Sequence, residues 1–178
     1  MGVPTMYFEQ ALDALKGWPS ESALDHSAPL SADVEFDIPA GRCVSLDDNG
    51  EFVTGVAGTA MAIFLLNGTT SHHTDVSNPG GSHWTPVAPT GKLSGLVATG
   101  AFELETTEFD DQQSYSPNDL LTAPNDDADV AVGGVLTNQS AVQYTNPICG
   151  VVSRGVNQNS HGVDALAFWP VWLPAAAS

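Results

Sequence analysis

From residue 34 to residue 171 the chain repeats one pattern: a short run rich in Val, Ile, Phe, Leu and Thr, then a break at Gly, Pro, Asn or Asp. Most of these runs are too short for the three turns of an average helix, yet they fit single β-strands. The spacing predicts strands at 34–38, 42–46, 52–56, 60–66, 95–105, 120–123, 130–136, 148–152 and 165–171. Many short strands with turn residues between them point to an all-β fold, a compact β-barrel or β-sandwich, rather than to alternating strands and helices. The clearest segment is 38–66, IPAGRCVSLDDNGEFVTGVAGTAMAIFLL, in which a DDNG turn separates apolar strands. It offers almost nothing that could attack, bind or protonate a substrate.

Residues 1–32 break the pattern. Phe8, Leu12 and Leu15 recur at helical spacing, Thr5 can cap the start, and Gly17 with Pro19 can stop it, which predicts a short helix over 6–16. A helix of that length is marginal alone in water and needs a surface to lie on. The following stretch 20–33, SESALDHSAPLSAD, is polar, carries a proline and has no sustained period, so it reads as a tether. In 178 residues this gives an N-terminal arm of 1–32 with a short helix, and one β-domain at 33–178. The arm either packs on its own domain or reaches a neighbouring subunit.

Charge narrows the partners. Four Lys and Arg stand against 21 Asp and Glu, a formal net charge of -17. Such a chain is repelled by phosphate-rich surfaces, so nucleic acid and anionic membranes are not expected partners. No apolar segment approaches the length of a transmembrane helix. The N-terminus lacks the basic start and unbroken apolar stretch of a signal peptide, and on that expectation the sequons at Asn67 and Asn138 are chance matches. Cys43 and Cys149 sit in apolar runs, where a free thiol behaves as a small buried hydrophobe; a disulfide between them is the alternative.

Searches for chemistry give little. His72, His73, Asp75 and His83 share one loop, but their spacing matches no recurring zinc framework. The acidic stretches DDNGE at Asp47 and NDDAD at Asn125 lack the ligand pattern of an EF-hand and read as hairpin turns. There is no G-x-S-x-G nucleophile elbow and no P-loop ending. A thiol nucleophile would need Cys43 or Cys149 beside His161, and apolar strands raise a thiol pKa rather than lower it. Glu103 and Glu105 share a strand face, a coincidence to be expected in so acidic a chain. No catalytic, cofactor-binding or metal-binding residues are therefore assigned. Two long connections, 67–92 and 107–119, stand out as partner-facing or mobile. At the C-terminal end Phe168, Trp169 and Trp172 must either close the core or anchor a partner.

Four stretches, AGRCVSLDDNGEFVTGVAG, ATGAFELETTEFDDQQSYSPNDLLTA, GGVLT and PICGVVSRGVNQNSHGVDALAFWPVWLP, together resemble the head decoration, or cement, proteins of tailed bacteriophages. The likeness rests on the aG-x-x-V-x-L-D-x-x-G hairpin, the sY-x-x-N-x-x-L-t segment and the vG-v-V-S-r-G strand, and covers most of 34–174. It implies an all-β protein without an active site, bound to the major capsid protein on the outer surface of the virion. Such proteins commonly form homotrimers at three-fold or quasi-three-fold positions and stabilise the head against internal DNA pressure. Some reach across capsomers with an N-terminal arm. The expected contact residues are then Tyr7, Phe8, Leu12, Leu15 and Trp18 of the arm, with Trp84 and Trp172. Two other readings compete: a receptor- or glycan-binding module of a spike or fibre, using Trp84 and the 67–92 loop, and a small metal-dependent enzyme.

Overall fold

The computed structural model describes residues 12–16, 25–34, 38–66, 68, 92–100, 102–125, 132–138, 146–159 and 162–175. Among them the chain forms β1 (Leu12–Lys16), β2 (Asp25–Pro29), β3 (Cys43–Leu46), β4 (Phe52–Thr54), β5 (Ile63–Leu65), β6 (Lys92–Val97), β7 (Glu103–Thr106), β8 (Leu120–Leu121), β9 (Gly150–Gln158) and β10 (Asp164–Trp169). These make two five-stranded antiparallel sheets, in the orders β1-β7-β10-β9-β8 and β2-β6-β5-β3-β4. The fold is all-β, as the strand pattern predicts.

The chain builds the second sheet almost entirely before the first. Residues 25–97 supply all of the second sheet, and 103–169 supply all of the first except its edge strand β1. The predicted single strand at 95–105 is therefore two strands in different sheets. Between them Gly100 takes φ +75°, a left-handed conformation that costs glycine little, and its N–H donates to the Pro170 carbonyl at 2.6 Å. That corner passes the chain from one sheet to the other.

The predicted helix over 6–16 is corrected in its second half. Residues 12–16 form β1, paired with β7 from Leu12↔Thr106 to Lys16↔Glu103 with one irregularity, while 6–11 lie outside the described residues. A few residues of good helix formers gain little by themselves, whereas the open edge of β7 offers a row of backbone partners; tertiary context wins. The stretch expected as a tether likewise contains β2, paired with β6 from Asp25↔Leu96 to Pro29↔Lys92. Its polar composition suits an edge strand: Ser27 meets Ser94 through their hydroxyls at 2.8 Å, and Pro29 closes the strand. Val34 and Ile38 are buried but not in a strand.

Two apolar clusters hold these layers. One lies between the sheets, with Cys43, Phe64 and Leu96 from the second sheet facing Leu104, Leu121, Val152, Leu166 and Phe168 from the first. At its centre the rings of Phe64 and Phe168 pack 5.0 Å apart, tilted by 55°. The other cluster covers the opposite face of the second sheet, joining Ala28, Val44, Phe52, Ile63, Leu65 and Leu93 to Val34 and Ile38. Burial on both faces explains why β5 reads Ile-Phe-Leu without a polar alternate.

The DDNGE stretch is the turn of the β3–β4 hairpin, as predicted. The Asp47 carboxylate accepts the N–H groups of Asn49 at 2.8 Å and Glu51 at 2.9 Å, and Gly50 takes φ +77°. The Glu51 N–H first, with the Asn49 backbone and side chain and the Gly50 N–H adding to it, holds the Asp47 pKa below its ordinary value of 3.8 against the opposing effect of desolvation. A depressed carboxylate pKa stabilises the fold above the unfolded-state pKa, and this contribution fades as pH falls through the folded value. Asp47→Asn is therefore expected to lower the melting temperature more at neutral pH than in acid well below 3.8, where the wild-type contribution fades as the pH falls through the depressed folded-state pKa. Equal losses at both pH values in thermal melts would contradict a charge-dependent turn.

Candidate interaction surface

Among the described residues, the polar side chains Arg42, Glu103 and Tyr115 are engaged in holding the fold. Arg42, just before β3, is 6% exposed. Its guanidinium reaches the Glu108 carboxylate at 2.7 and 2.9 Å and donates to the Gly133 carbonyl at 2.7 Å. This clamps the 107–119 and 132–136 segments onto the second sheet. Glu103, on β7, is 1% exposed; it accepts the Ser153 hydroxyl of β9 at 2.6 Å and faces Arg154 at 3.4 Å.

The sY-x-x-N-x-x-L-t segment is likewise structural. Tyr115 stands edge-on to Phe109, with centroids 5.7 Å apart, and its hydroxyl lies 2.9 Å from the Asp110 carbonyl and 3.2 Å from that of Leu136. Burial, reinforced by the Asp110 carboxylate, pushes the phenol well above its ordinary pKa and keeps it a donor. A turn follows in which Pro117 and Asn118 are the central residues. Asn118 has φ +75°, the Asp119 N–H donates to the Ser116 carbonyl at 3.0 Å, and the Ser116 N–H donates back to the Asp119 carboxylate at 2.8 Å. Asn138, part of a sequon, places its amide on the Ser114 carbonyl at 2.8 Å and the Asp119 carboxylate at 2.9 Å. Tyr115→Phe is expected to cost about 0.5–1.5 kcal/mol in urea denaturation, since it removes one hydrogen-bond donor and little volume. A cost near zero would mean that water replaces the hydroxyl.

Among the expected contact residues, Trp172 is the one whose side chain is described. It is partly buried against the core between the sheets, and its indole N–H donates to the Ala60 carbonyl at 2.7 Å. It braces the chain end onto the 57–62 loop. Phe168 is fully buried and Trp169 half-buried. Leu12 and Leu15 lie on the edge strand β1, while Tyr7, Phe8, Trp18 and Trp84 fall outside the described residues. So do His72, His73, Asp75, His83, His161 and most of NDDAD. Among the described residues no group of His, Cys, Asp and Glu is gathered as a metal site.

The β9–β10 hairpin runs from the core to the surface, with β10 buried from Ala165 to Phe168 and the exposed residues on β9 and at the tip. Its base lies in the core, but from Arg154 outward β9 is largely exposed, and the tip is fixed by a turn at Asn159–Val163 in which Gly162 takes φ +75°. Val156 and Val163 stand exposed on this distal half, at 37% and 50%. On its outer edge β9 pairs with β8 only at Val151 and Gly150, and the Asn118–Asp119 turn bonds to Val152. Beyond that point no strand pairs with this edge among the described residues. Leu120 is exposed beside it. The strand pattern in the sequence ends at 152, and the extension to Gln158 is visible only through its pairing with β10. Compared with protein-family models, curated proteins and solved structures, this chain matches none.

Proposed function

We propose that this protein is a structural component of a phage virion that binds the exterior of an icosahedral capsid and stabilises it, as a homotrimer on the major capsid protein at three-fold or quasi-three-fold positions. The observation that carries this reading is the division of labour among side chains: the buried Arg42 and Glu103 and the half-buried Tyr115 tie segments of the fold together, while Val156 and Val163 stand exposed on the distal part of the β9–β10 hairpin, where no strand pairs with the outer edge of β9 among the described residues. Such an edge adds a partner's backbone without needing a pocket. The motifs that resemble decoration proteins supply the identity of the partner. With a net charge of -17, the surface met must be neutral or basic where it faces this chain.

The test is co-sedimentation with phage heads lacking the protein, followed by counting copies per particle. Saturable binding at a symmetry-related copy number supports the reading, and no binding to intact heads overturns it. The role of the arm is tested in the same assay by deleting residues 1–11, which spares β1 and β2; deletion of 1–30 would strip an edge strand from each sheet. Weaker binding of the shortened protein is expected, because symmetric copies multiply small losses per subunit. Unchanged occupancy would remove the arm from the interface.

A further inference from the structure

We propose that Cys43 and Cys149 form a latent disulfide site that locks the two sheets together when the protein meets an oxidant of the small-disulfide class. Cys43 opens β3 in the second sheet, and Cys149 immediately precedes β9 in the first. Both are fully buried in the same apolar cluster between the sheets, one contributed from each sheet, and the Cys149 thiol is close enough to act on Cys43 electrostatically. Each is held by its backbone. The Cys43 N–H donates to the Gly134 carbonyl at 3.0 Å and the Cys43 carbonyl accepts from Gly55 at 2.9 Å, while the Cys149 N–H donates to Leu121 at 2.9 Å. The Cys149 thiol points at the same Leu121 carbonyl at 3.4 Å. Both thiols are free in this structure.

The chemistry is two successive exchanges. One cysteine thiolate attacks the small disulfide and expels one small thiolate; the second cysteine thiolate then attacks the mixed disulfide, forms the Cys43–Cys149 bond and expels the other. The two cysteine protons end on the two released thiols, and the small disulfide is the species reduced. Burial raises the Cys43 thiol well above its ordinary pKa, with the Cys149 thiol adding to this, so attack needs transient opening of the core and is slow in the cold. Once formed, the bond is shielded from reductant by the same burial. It closes a loop on the order of 100 residues, a length at which a cross-link constrains the unfolded chain strongly.

The experiment incubates the full chain with oxidised glutathione at temperatures approaching its melting midpoint. Thiols are then counted by maleimide labelling in denaturant, and protease fragments are mapped by mass spectrometry. Expected are the loss of both labels, a linked fragment pair containing Cys43 and Cys149, and a melting temperature higher by roughly 5–15 °C that reverts on reduction after unfolding. Cys43→Ala and Cys149→Ala should each keep one labelled thiol and lose the melting response. Retention of both labels in the wild type, stable glutathione adducts on separate cysteines, or cross-links between chains would each overturn the proposal. The fragment map on the wild type decides the matter even if the alanine variants fold poorly.

Discussion

Arg42→Ala is expected to destabilise the fold by about 3 kcal/mol or somewhat more. The usual penalty for breaking a buried ion pair is about 3–5 kcal/mol, because the partner charge stays buried without compensation. Here the partner is Glu108, whose side chain is 17% exposed against 7% for Arg42, so some water can reach the orphaned carboxylate and the lower part of that range applies. The substitution also frees the Gly133 carbonyl, which accepts from Arg42 at 2.7 Å in the interior. Three stretches distant in sequence therefore lose their common fastener. Urea denaturation should show the midpoint falling with an unchanged slope, since the same surface is exposed on unfolding. Pairing Arg42→Met with Glu108→Leu should recover much of the loss, because replacing both charges removes the desolvation cost along with the attraction. A single-variant loss below about 1 kcal/mol would put this pair with ordinary surface salt bridges.

How much of this was legible in the sequence follows from the range of each interaction. The β3–β4 hairpin could be read directly, because DDNG is a local signal and Asp47 and Gly50 act within their own turn. The runs at 60–66 and 165–171 were readable as strands because burial leaves an uninterrupted apolar stretch. The edges were not. β1 and β2 are polar or helix-compatible segments that become strands only because β7 and β6 present unpaired backbone, and nothing in LDALK or DHSAP records that. The distal half of β9 failed in the same way, and with it went the exposed valines of the candidate interaction surface. The Arg42–Glu108 clamp joins residues far apart in the chain, and no spacing rule reaches that far. Trp172 was legible as a choice between core and partner; its bond to Ala60 depends on the 57–62 loop returning beneath it.

Gly134, in the GGVLT stretch, separates the two things a glycine can supply. Its φ of +75° nearly equals that of Gly50, at +77°, so alanine at either site meets the same backbone penalty of about 1–2 kcal/mol. Their surroundings differ completely. A Cβ at Gly50 would meet nothing within 4 Å, whereas at Gly134 it would lie 2.2 Å from the Cys43 carbonyl oxygen and 3.0 Å from the Arg42 side chain. The obstructing atom belongs to the backbone of β3, which is fixed on both edges by β4 and β5, and Gly134 itself accepts the Cys43 N–H and donates to the Pro124 carbonyl at 2.9 Å. Relief must then come from moving the 132–136 segment away from the sheet, at the expense of those two bonds and of the Arg42 bond to Gly133. Gly50→Ala should accordingly cost about 1–2 kcal/mol, and Gly134→Ala roughly 2–5 kcal/mol once overpacking of about 1–3 kcal/mol is added. Amide exchange should locate the difference, with Cys43 and Gly134 losing protection only in the second variant. Equal costs for the two would mean that the approach of 134 to β3 contributes nothing beyond its φ, and the close seating of that segment on the second sheet would have to be given up.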